Sequence, residues 1–116
     1  MPLWAAALFV LSTCAIAYSD PAATIASVEL PAEARQVLAN IRTGPPFPFE
    51  RDGVAFGNRE RLLPSKPRGY YHEYTVRTPG MKSRGARRIV CGGAPRTPDA
   101  CWYSSDHYQS FARIVE

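Results

Sequence analysis

The placement of prolines and glycines constrains the fold of this chain more than any other feature of its sequence. Residues 31–42 form its clearest helical segment, with Pro31 suited to the first turn and Gly44 to the stop. Within that segment the apolar residues recur at helical spacing, at Ala34, Val37, Leu38 and Ile41. Residues 44–49 then contain three prolines, which exclude both a helix and a central strand. The pattern predicts one amphipathic helix followed by a rigid loop.

Short runs of β-forming residues follow that loop, and proline and glycine turns separate them. They cover residues 54–56, 70–78, 87–91 and 111–115. Strands that are gathered after a helix, rather than alternating with helices, favour an antiparallel sheet. We therefore predict an α+β domain in which one main amphipathic helix packs on an antiparallel β-sheet.

Residues 1–17 have the composition of a secretory signal peptide. They are apolar, carry no charged side chain and end in a small-x-small triplet at 15–17. This apolar run is shorter than the roughly 20 residues that span a bilayer, so we expect no membrane anchor; lipid attachment at Cys14 is the alternative. Cleavage after Ala17 would leave a domain of residues 18–116, which we expect to be extracellular and monomeric.

Two cysteines, Cys91 and Cys101, remain in that domain, an even number in an oxidising compartment. We expect them to pair in a disulfide that closes a short loop. The rival interpretation is zinc ligation together with His107, but the chain has no Cys-x-x-Cys pair and only one further histidine. The sequence thus predicts a disulfide and no metal or other cofactor.

The charge of the chain favours an anionic partner. The formal net charge is +4, and the isoelectric point is about 9.2. Because no charged side chain precedes residue 18, the predicted domain carries all of this charge. Such a surface suits nucleic acid or anionic lipid, and charge alone does not choose between them.

A carboxylate, an imidazole and guanidinium groups together provide the chemistry of metal-free phosphodiester cleavage. Glu73 can accept a proton, His107 can donate one, and Arg84 and Arg88 can hold a phosphate between them. In isolation, each of these residue types is more often structural than catalytic. The prediction of a cleavage site therefore depends on their combination.

Period-two alternation assigns these side chains to faces of the predicted strands. Glu73 and His72 point to opposite faces, so we interpret His72 as a structural residue. Arg84 shares the face of Arg88 if the chain stays extended through Gly85. A hairpin between the two strands could then bring Glu73 and both arginines onto one surface.

A series of ordered blocks resembles the microbial guanyl-specific ribonucleases, the group that includes barnase. The blocks are DGVAFGNRE at 52–60, LP at 63–64, GYYHEYTV at 69–76, TPG at 78–80, RG at 84–85 with RRI at 87–89, and DHY at 106–108. The similarity runs in order from about residue 30 to residue 114. It implies the same fold class as the pattern of predicted elements.

The resemblance implies a secreted endoribonuclease that cleaves single-stranded RNA on the 3′ side of guanosine. Transesterification would give a 2′,3′-cyclic phosphate, and hydrolysis would then give a 3′-phosphate. The matching positions imply Glu73 as general base, His107 as general acid, and Arg84 and Arg88 as phosphate ligands. Guanine and substrate binding are implied for Phe56, Gly57, Asn58, Arg59, Glu60 and Tyr108.

Two features depart from the family pattern. Gly57 replaces a larger polar residue that is common there, which leaves the strictness of guanine preference open. The disulfide Cys91–Cys101 would staple the segment that leads to His107, and we hypothesise that it tightens the placement of the acid.

The resemblance to barnase also implies a possible partner, a small acidic, barstar-like protein inhibitor that would bind the basic cleft. The alternative function is a basic secreted module that binds RNA or another polyanion on the same fold without cutting it. Both functions predict salt-sensitive binding, but only the enzyme needs Glu73 and His107 as proton carriers.

Overall fold

The computed structural model describes residues 23–116, which contain one α-helix, five strands and a short 3-10 helix at Ser27–Glu29. The predicted signal peptide, residues 1–17, lies outside the described residues. No helix within residues 23–116 has the length and apolar character needed to cross a bilayer.

The helix, α1, spans Ala32–Thr43, in agreement with the predicted segment. Pro31 precedes it with a φ of −52°, a value that the pyrrolidine ring favours at a helix start. Gly44 ends it with a φ of 86°, and the N–H of Gly44 donates to the carbonyl of Asn40 at 2.9 Å. Pro31 and Gly44, from which the ends of the helix were predicted, therefore mark both of its ends in the structure.

The five strands form a single sheet in the order β1-β5-β4-β3-β2. Their bounds are β1 Thr24–Ala26, β2 Tyr71–Thr75, β3 Arg88–Gly93, β4 Pro98–Ser104 and β5 Ala112–Val115. All neighbours pair antiparallel except β1, which pairs parallel with β5 at the edge. The predicted α+β class is confirmed, but the sheet is mixed rather than wholly antiparallel.

Strands β1 and β4 were not predicted from the sequence. β1 has three residues, too few for an alternating pattern. β4 begins with Pro98 and Asp99, residue types that are depleted in strands. Proline is tolerated there because it occupies the first position of the strand.

Residues 54–56 form one isolated bridge instead of a strand, between Ala55 and His72. The neighbouring backbone still bonds along the outer edge of β2. The N–H of Gly53 donates to the carbonyl of Glu73 at 2.7 Å. The N–H of Phe56 donates to the carbonyl of Tyr71 at 2.8 Å. This segment therefore covers the edge of β2.

Apolar side chains pack on both faces of the sheet. Under α1, the core consists of Leu30, Ala34, Ile41, Tyr74, Val76, Ile89, Cys91 and Tyr103. The opposite face carries a second cluster of Leu63, Tyr71, Val90, Trp102 and Phe111. Each large aliphatic side chain that is fully buried in this way contributes about 1.5–3 kcal/mol. The predicted alternation is confirmed along β2, because Tyr74 and Val76 face the helix while Tyr71 faces away from it. It is wrong for Tyr70, which precedes the strand and packs beside Tyr71 in the second cluster.

The disulfide joins Cys91 of β3 to Cys101 of β4, residues that are directly opposite each other in the antiparallel register. Cys91 belongs to the core under α1, so the disulfide lies on the helix side of the sheet. It therefore ties together the β3–β4 hairpin, and β4 in turn leads to His107.

Removing the disulfide should lower stability without abolishing the fold. The ring closed by Cys91 and Cys101 has a sequence separation of 10, and for such a loop the chain-entropy model gives about 3 kcal/mol. We expect the Cys91→Ala, Cys101→Ala variant to lose about that much free energy of unfolding in urea titrations. Undiminished turnover in the folded variant would contradict the hypothesis that the disulfide places the acid.

Candidate active site

A cleft of about 680 Å³ opens on the face of the sheet that α1 does not cover. It contains Glu73 and His107 together, as well as the loop predicted to read the base. The lining residues are Arg51, Ala55, Phe56, Gly57, Asn58, Arg59, Glu60, Leu62, Glu73, His107, Tyr108, Gln109 and Phe111. All of the predicted site residues except the two arginines and the cysteines therefore line one cavity.

Glu73 lies on β2 at the base of this cleft, and its side chain is only 8% exposed. The hydroxyl of Tyr108 donates a hydrogen bond to its Oε2 atom. Its Oε1 atom lies 3.7 Å from Nη2 of Arg84 and 3.5 Å from Nε of Arg51. The carboxylate is thus oriented by a phenol and flanked by two guanidinium groups.

His72, the neighbour of Glu73, faces the other way. It lines a separate pocket on the helix side together with Ile41, Pro45 and Tyr74. Its interpretation as a structural residue agrees with this position.

Arg88 is buried at 3% exposure, although it carries a charge. Its Nη1 atom donates to the carbonyls of Gly85 at 2.9 Å and Arg87 at 2.8 Å. Arg84 is held in turn by a bond of 2.9 Å from its Nε atom to Oγ1 of Thr75.

Arg84 was predicted to share the face of Arg88 only if the chain stays extended through Gly85. The chain does not stay extended there, so that prediction is wrong. Gly85 has a φ of 64°, and the chain turns there. A Cβ at this position would also lie 3.0 Å from Oγ1 of Thr78. Arg84 nevertheless reaches Glu73, because the turn rather than an extended strand carries it there.

Two nitrogen atoms of these arginines make no hydrogen bond within residues 23–116, although one of them, Nη2 of Arg84, lies in the ion pair with Glu73. They are Nη2 of Arg84 and Nε of Arg88, and both atoms are buried. An unsatisfied buried guanidinium donor is costly. With Arg84 at the Glu73 carboxylate and Arg88 close to Tyr108, these two donors are suited to an anion.

The segment between β4 and β5 presents His107 to the cleft. His107 and Tyr108 have positive φ values of 55° and 72°, which are uncommon for residues with side chains. The N–H of His107 donates to the carbonyl of Ala86 at 2.9 Å. This bond ties the candidate acid to the loop that carries Arg84 and leads into Arg88, the first residue of β3.

Asp106 stabilises the same segment by accepting hydrogen bonds from residues within it and from the end of β4. Its Oδ1 atom accepts from the hydroxyl of Ser104 and the N–H of Ser110, each at 2.9 Å. Hydrogen bonding from the hydroxyl of Ser110 is the main cause that lowers the pKa of Asp106, against an opposing effect of burial. The hydroxyl of Ser104 also accepts from the N–H of Tyr108 at 3.0 Å.

Asn58 closes the loop predicted to read guanine. Its Nδ2 atom donates to the carbonyl of Leu63 at 2.9 Å, and its Oδ1 atom accepts from the N–H of Leu63 at 3.1 Å. With a φ of 50°, Asn58 adopts the left-handed conformation that asparagine tolerates best. The hydrogen bonds found in residues 23–116 do not use the N–H groups of residues 58–60, which remain available to a ligand.

Gly57 is not required by the backbone of this loop, because its φ is outside the left-handed region. A Cβ there would meet Cγ of Arg59 at 3.7 Å, an ordinary contact. The Arg59 side chain therefore lies beside the position that a larger side chain would occupy.

An aromatic wall borders the cleft. The rings of Phe56 and Tyr108 are 4.9 Å apart, and Phe111 lies 6.0 Å from Phe56. Burial and then the hydrogen bond to Glu73 raise the pKa of Tyr108, whereas Arg88 lowers it. The phenol therefore remains protonated as a donor throughout the neutral range.

Arg51 is a charged residue of the cleft that the sequence did not predict. It lies in the turn after the proline loop, where its side chain reaches Glu73. Asp52, which was interpreted as a turn residue, holds this turn by accepting from the N–H of Thr75 at 2.8 Å and of Phe49 at 3.1 Å. No spacing rule links residues 51 and 73, so only the tertiary structure could find the contact.

Comparison with known proteins gives a consistent result. A family model described as ribonuclease matches residues 13–115. Guanyl-specific ribonuclease Sa of Kitasatospora aureofaciens is 46% identical over 95 residues, which are 82% of this chain and 96% of that protein. Guanyl-specific ribonuclease St of Saccharopolyspora erythraea is 47% identical over 87 residues, 75% of this chain and 82% of its own length.

Solved structures extend this similarity to three dimensions. The crystal structure of ribonuclease Sa2 with guanosine-2′-cyclophosphate matches with a TM-score of 0.72 and 47% identity, covering 80% of this chain and 96% of that one. This chain belongs to the family of microbial guanyl-specific ribonucleases.

The hydrogen bonds of Asp106 should make stability depend on pH. Because its pKa is lower in the folded state than its ordinary value of 3.8, the stabilisation is present above that value and is lost as the pH falls through the folded pKa. We expect Asp106→Asn to lower the melting temperature at pH 7 but to differ little from the unchanged protein near pH 2. An equal difference at both pH values would contradict this assignment.

Proposed function

We propose that this protein is a secreted endoribonuclease that cleaves single-stranded RNA on the 3′ side of guanosine, with Glu73 and His107 as its proton carriers. The observation that carries the assignment of roles is that both side chains line one cleft, with an unused donor of Arg84 beside the carboxylate and one of Arg88 near Tyr108. A base, an acid and an anion site at one place are what transesterification at phosphorus requires.

In the first step, Glu73 takes the proton from the ribose 2′-OH and the 2′ oxygen attacks the adjacent phosphorus. The bond between phosphorus and the 5′ oxygen breaks, and protonated His107 gives its proton to that departing oxygen. The products are a 2′,3′-cyclic phosphate and a free 5′-OH. DNA is not cleaved in this way, since it lacks the attacking hydroxyl.

In the second step, the two residues exchange roles. Neutral His107 takes a proton from water, the oxygen of that water attacks phosphorus, and the bond to the 2′ oxygen breaks. Protonated Glu73 returns its proton to the 2′ oxygen. The product is a 3′-phosphate, and both side chains are back in their starting states.

Arg84 and Arg88 stabilise the charge that collects on the nonbridging oxygens of the phosphate. Their unused donors are fixed before the substrate arrives, so little reorganisation is needed during the reaction. The nucleophile is part of the substrate and is already next to phosphorus. These groups together supply the base, the acid and the charge stabilisation of the reaction.

The loop at residues 56–60 reads the base. The Glu60 side chain is exposed to the cleft, and its carboxylate can accept from N1–H and the exocyclic amine of guanine together, a donor pair that adenine lacks. The available N–H groups of residues 58–60 can meet O6 and N7 of the base. Phe56 or Tyr108 provides the aromatic surface for stacking.

We also propose that residues 1–17 are the export signal and that residues 18–116 are the mature, monomeric domain. The disulfide Cys91–Cys101 suits an oxidising compartment. A barstar-like inhibitor would have to bury the basic groups of the cleft against acidic residues of its own.

The direct test is to incubate the mature protein with RNA that contains isolated guanosines, in the presence of EDTA. We expect fragments that end in guanosine 2′,3′-cyclic phosphate, and later in guanosine 3′-phosphate. Binding of RNA without any cleavage would instead select the non-catalytic binding module.

Loss of either proton carrier should lower turnover by about 10²–10⁴. We expect this for Glu73→Ala and His107→Ala, whereas His72→Ala, on the other face of the sheet, serves as the matched histidine control and should retain activity. The pH profile of kcat/KM should be bell-shaped, because the base must be deprotonated and the acid protonated. A flat profile from pH 4 to pH 9 would contradict these roles.

Glu60→Ala should mainly reduce the preference for guanosine. The comparison is kcat/KM for a guanosine-containing and an adenosine-containing dinucleotide, and we expect their ratio to fall by about 10-fold or more, since a bidentate base contact contributes about 1–3 kcal/mol. Glu50→Ala, which alters an exposed glutamate outside the cleft, is the control. Unchanged discrimination in Glu60→Ala would place base recognition elsewhere.

A further inference from the structure

Arg51 is a cation of the cleft that the proposed mechanism does not use. Its Nε atom lies 3.5 Å from Oε1 of Glu73, and its side chain is 66% exposed. An ion pair with such an exposed partner contributes little to stability. Within residues 23–116, no hydrogen bond fixes its guanidinium group. Its other nitrogens are therefore available to a ligand at the rim of the cleft.

The backbone that carries Arg51 is firmly held. The carbonyl of Arg51 accepts from the N–H of Val54 at 3.2 Å, and the next residue, Asp52, accepts from the N–H of Thr75 on β2 at 2.8 Å. Arg84, the other cation beside Glu73, differs in having its Nε atom bonded to Thr75. Arg51 thus combines a fixed attachment point with a side chain that can change its rotamer without losing a hydrogen bond.

The chemistry of the cleft indicates which phosphate Arg51 can reach. Arg84 and Arg88 hold the unused donors for the phosphate that is cleaved. In an in-line displacement, the attacking and leaving oxygens lie on opposite sides of phosphorus, with Glu73 on the attacking side and His107 on the leaving side. Arg51 contacts Glu73 and so lies on the side of the nucleotide that supplies the 2′-OH. Besides the cleaved phosphate, that nucleotide carries one other phosphate, which is attached to its 5′ oxygen.

We propose that Arg51 binds the phosphate on the 5′ side of the target guanosine. This inference rests on the proposed function, and it makes guanosines within a strand, or with a terminal 5′-phosphate, better substrates than a guanosine with a free 5′-OH. The contact is a charge-assisted one at an exposed position, so its effect should be modest and should weaken as salt is added.

The test compares three substrates, GpC, pGpC and GpCp, which differ only in a flanking phosphate. For the unchanged protein we expect kcat/KM to be roughly three- to tenfold higher for pGpC than for GpC at low salt, the size of one exposed phosphate contact. Arg51→Gln should bring this ratio close to one. Any effect of Arg51 that acts through Glu73 changes both substrates alike and cancels in the ratio.

Arg35→Gln is the matched control, because it removes the same charge from an exposed position on α1, behind the sheet. It should keep the ratio of the unchanged protein. The proposal is overturned if that ratio is one from the start, or if Arg51→Gln leaves it unchanged. It is overturned equally if Arg51→Gln lowers the ratio for GpCp against GpC instead, since Arg51 would then read the 3′ side. A failure of the unchanged protein to cleave any of the three substrates would refute the proposed function itself.

Discussion

The alternation of side chains along β2 is the constraint on which the rest of the structure depends. Tyr74 and Val76 are buried against α1, so Tyr71 and Glu73 must face the opposite side of the sheet. A slip of one residue in register would send the carboxylate into the apolar core and expose an aromatic ring in its place. The same pairing that buries the core therefore fixes the position of the candidate base.

The buried charge of Arg88, near the candidate base, is stabilised by hydrogen bonds to nearby backbone carbonyls. Arg88 is almost inaccessible to water, yet the carbonyls around Gly85 converge on one of its nitrogens. A turn of this shape needs the positive φ that glycine adopts without strain. The hydrogen bonds remain incomplete at Nε of Arg88 and Nη2 of Arg84. A phosphate between them would complete the set, which is why an unfavourable arrangement in the free protein is useful to an enzyme of this family.

Local patterns in the sequence predicted the helix, its two ends and the face of β2 that carries Glu73, because each depends on residues close in the chain. They did not predict β1 or β4. The first is stabilised by its parallel pairing with β5, and the second by pairing on both sides, and neither contribution is visible in a short window. The resemblance to a family assigned the base-reading residues of the cleft and supported Glu73 and His107, which their chemistry had already suggested. It did not point to Arg51, whose approach to Glu73 depends on the bonds of Asp52 to β2.

The segment from Gly53 to Phe56 occupies the outer edge of β2 with its own backbone hydrogen bonds. Without this segment, the exposed N–H and C=O groups of β2 would offer a template to a strand from another molecule. At the other end of the sheet, β1 presents only three residues, a short stretch for such pairing. A protein built in this way can be concentrated, or released into crowded surroundings, with little tendency to polymerise through its sheet.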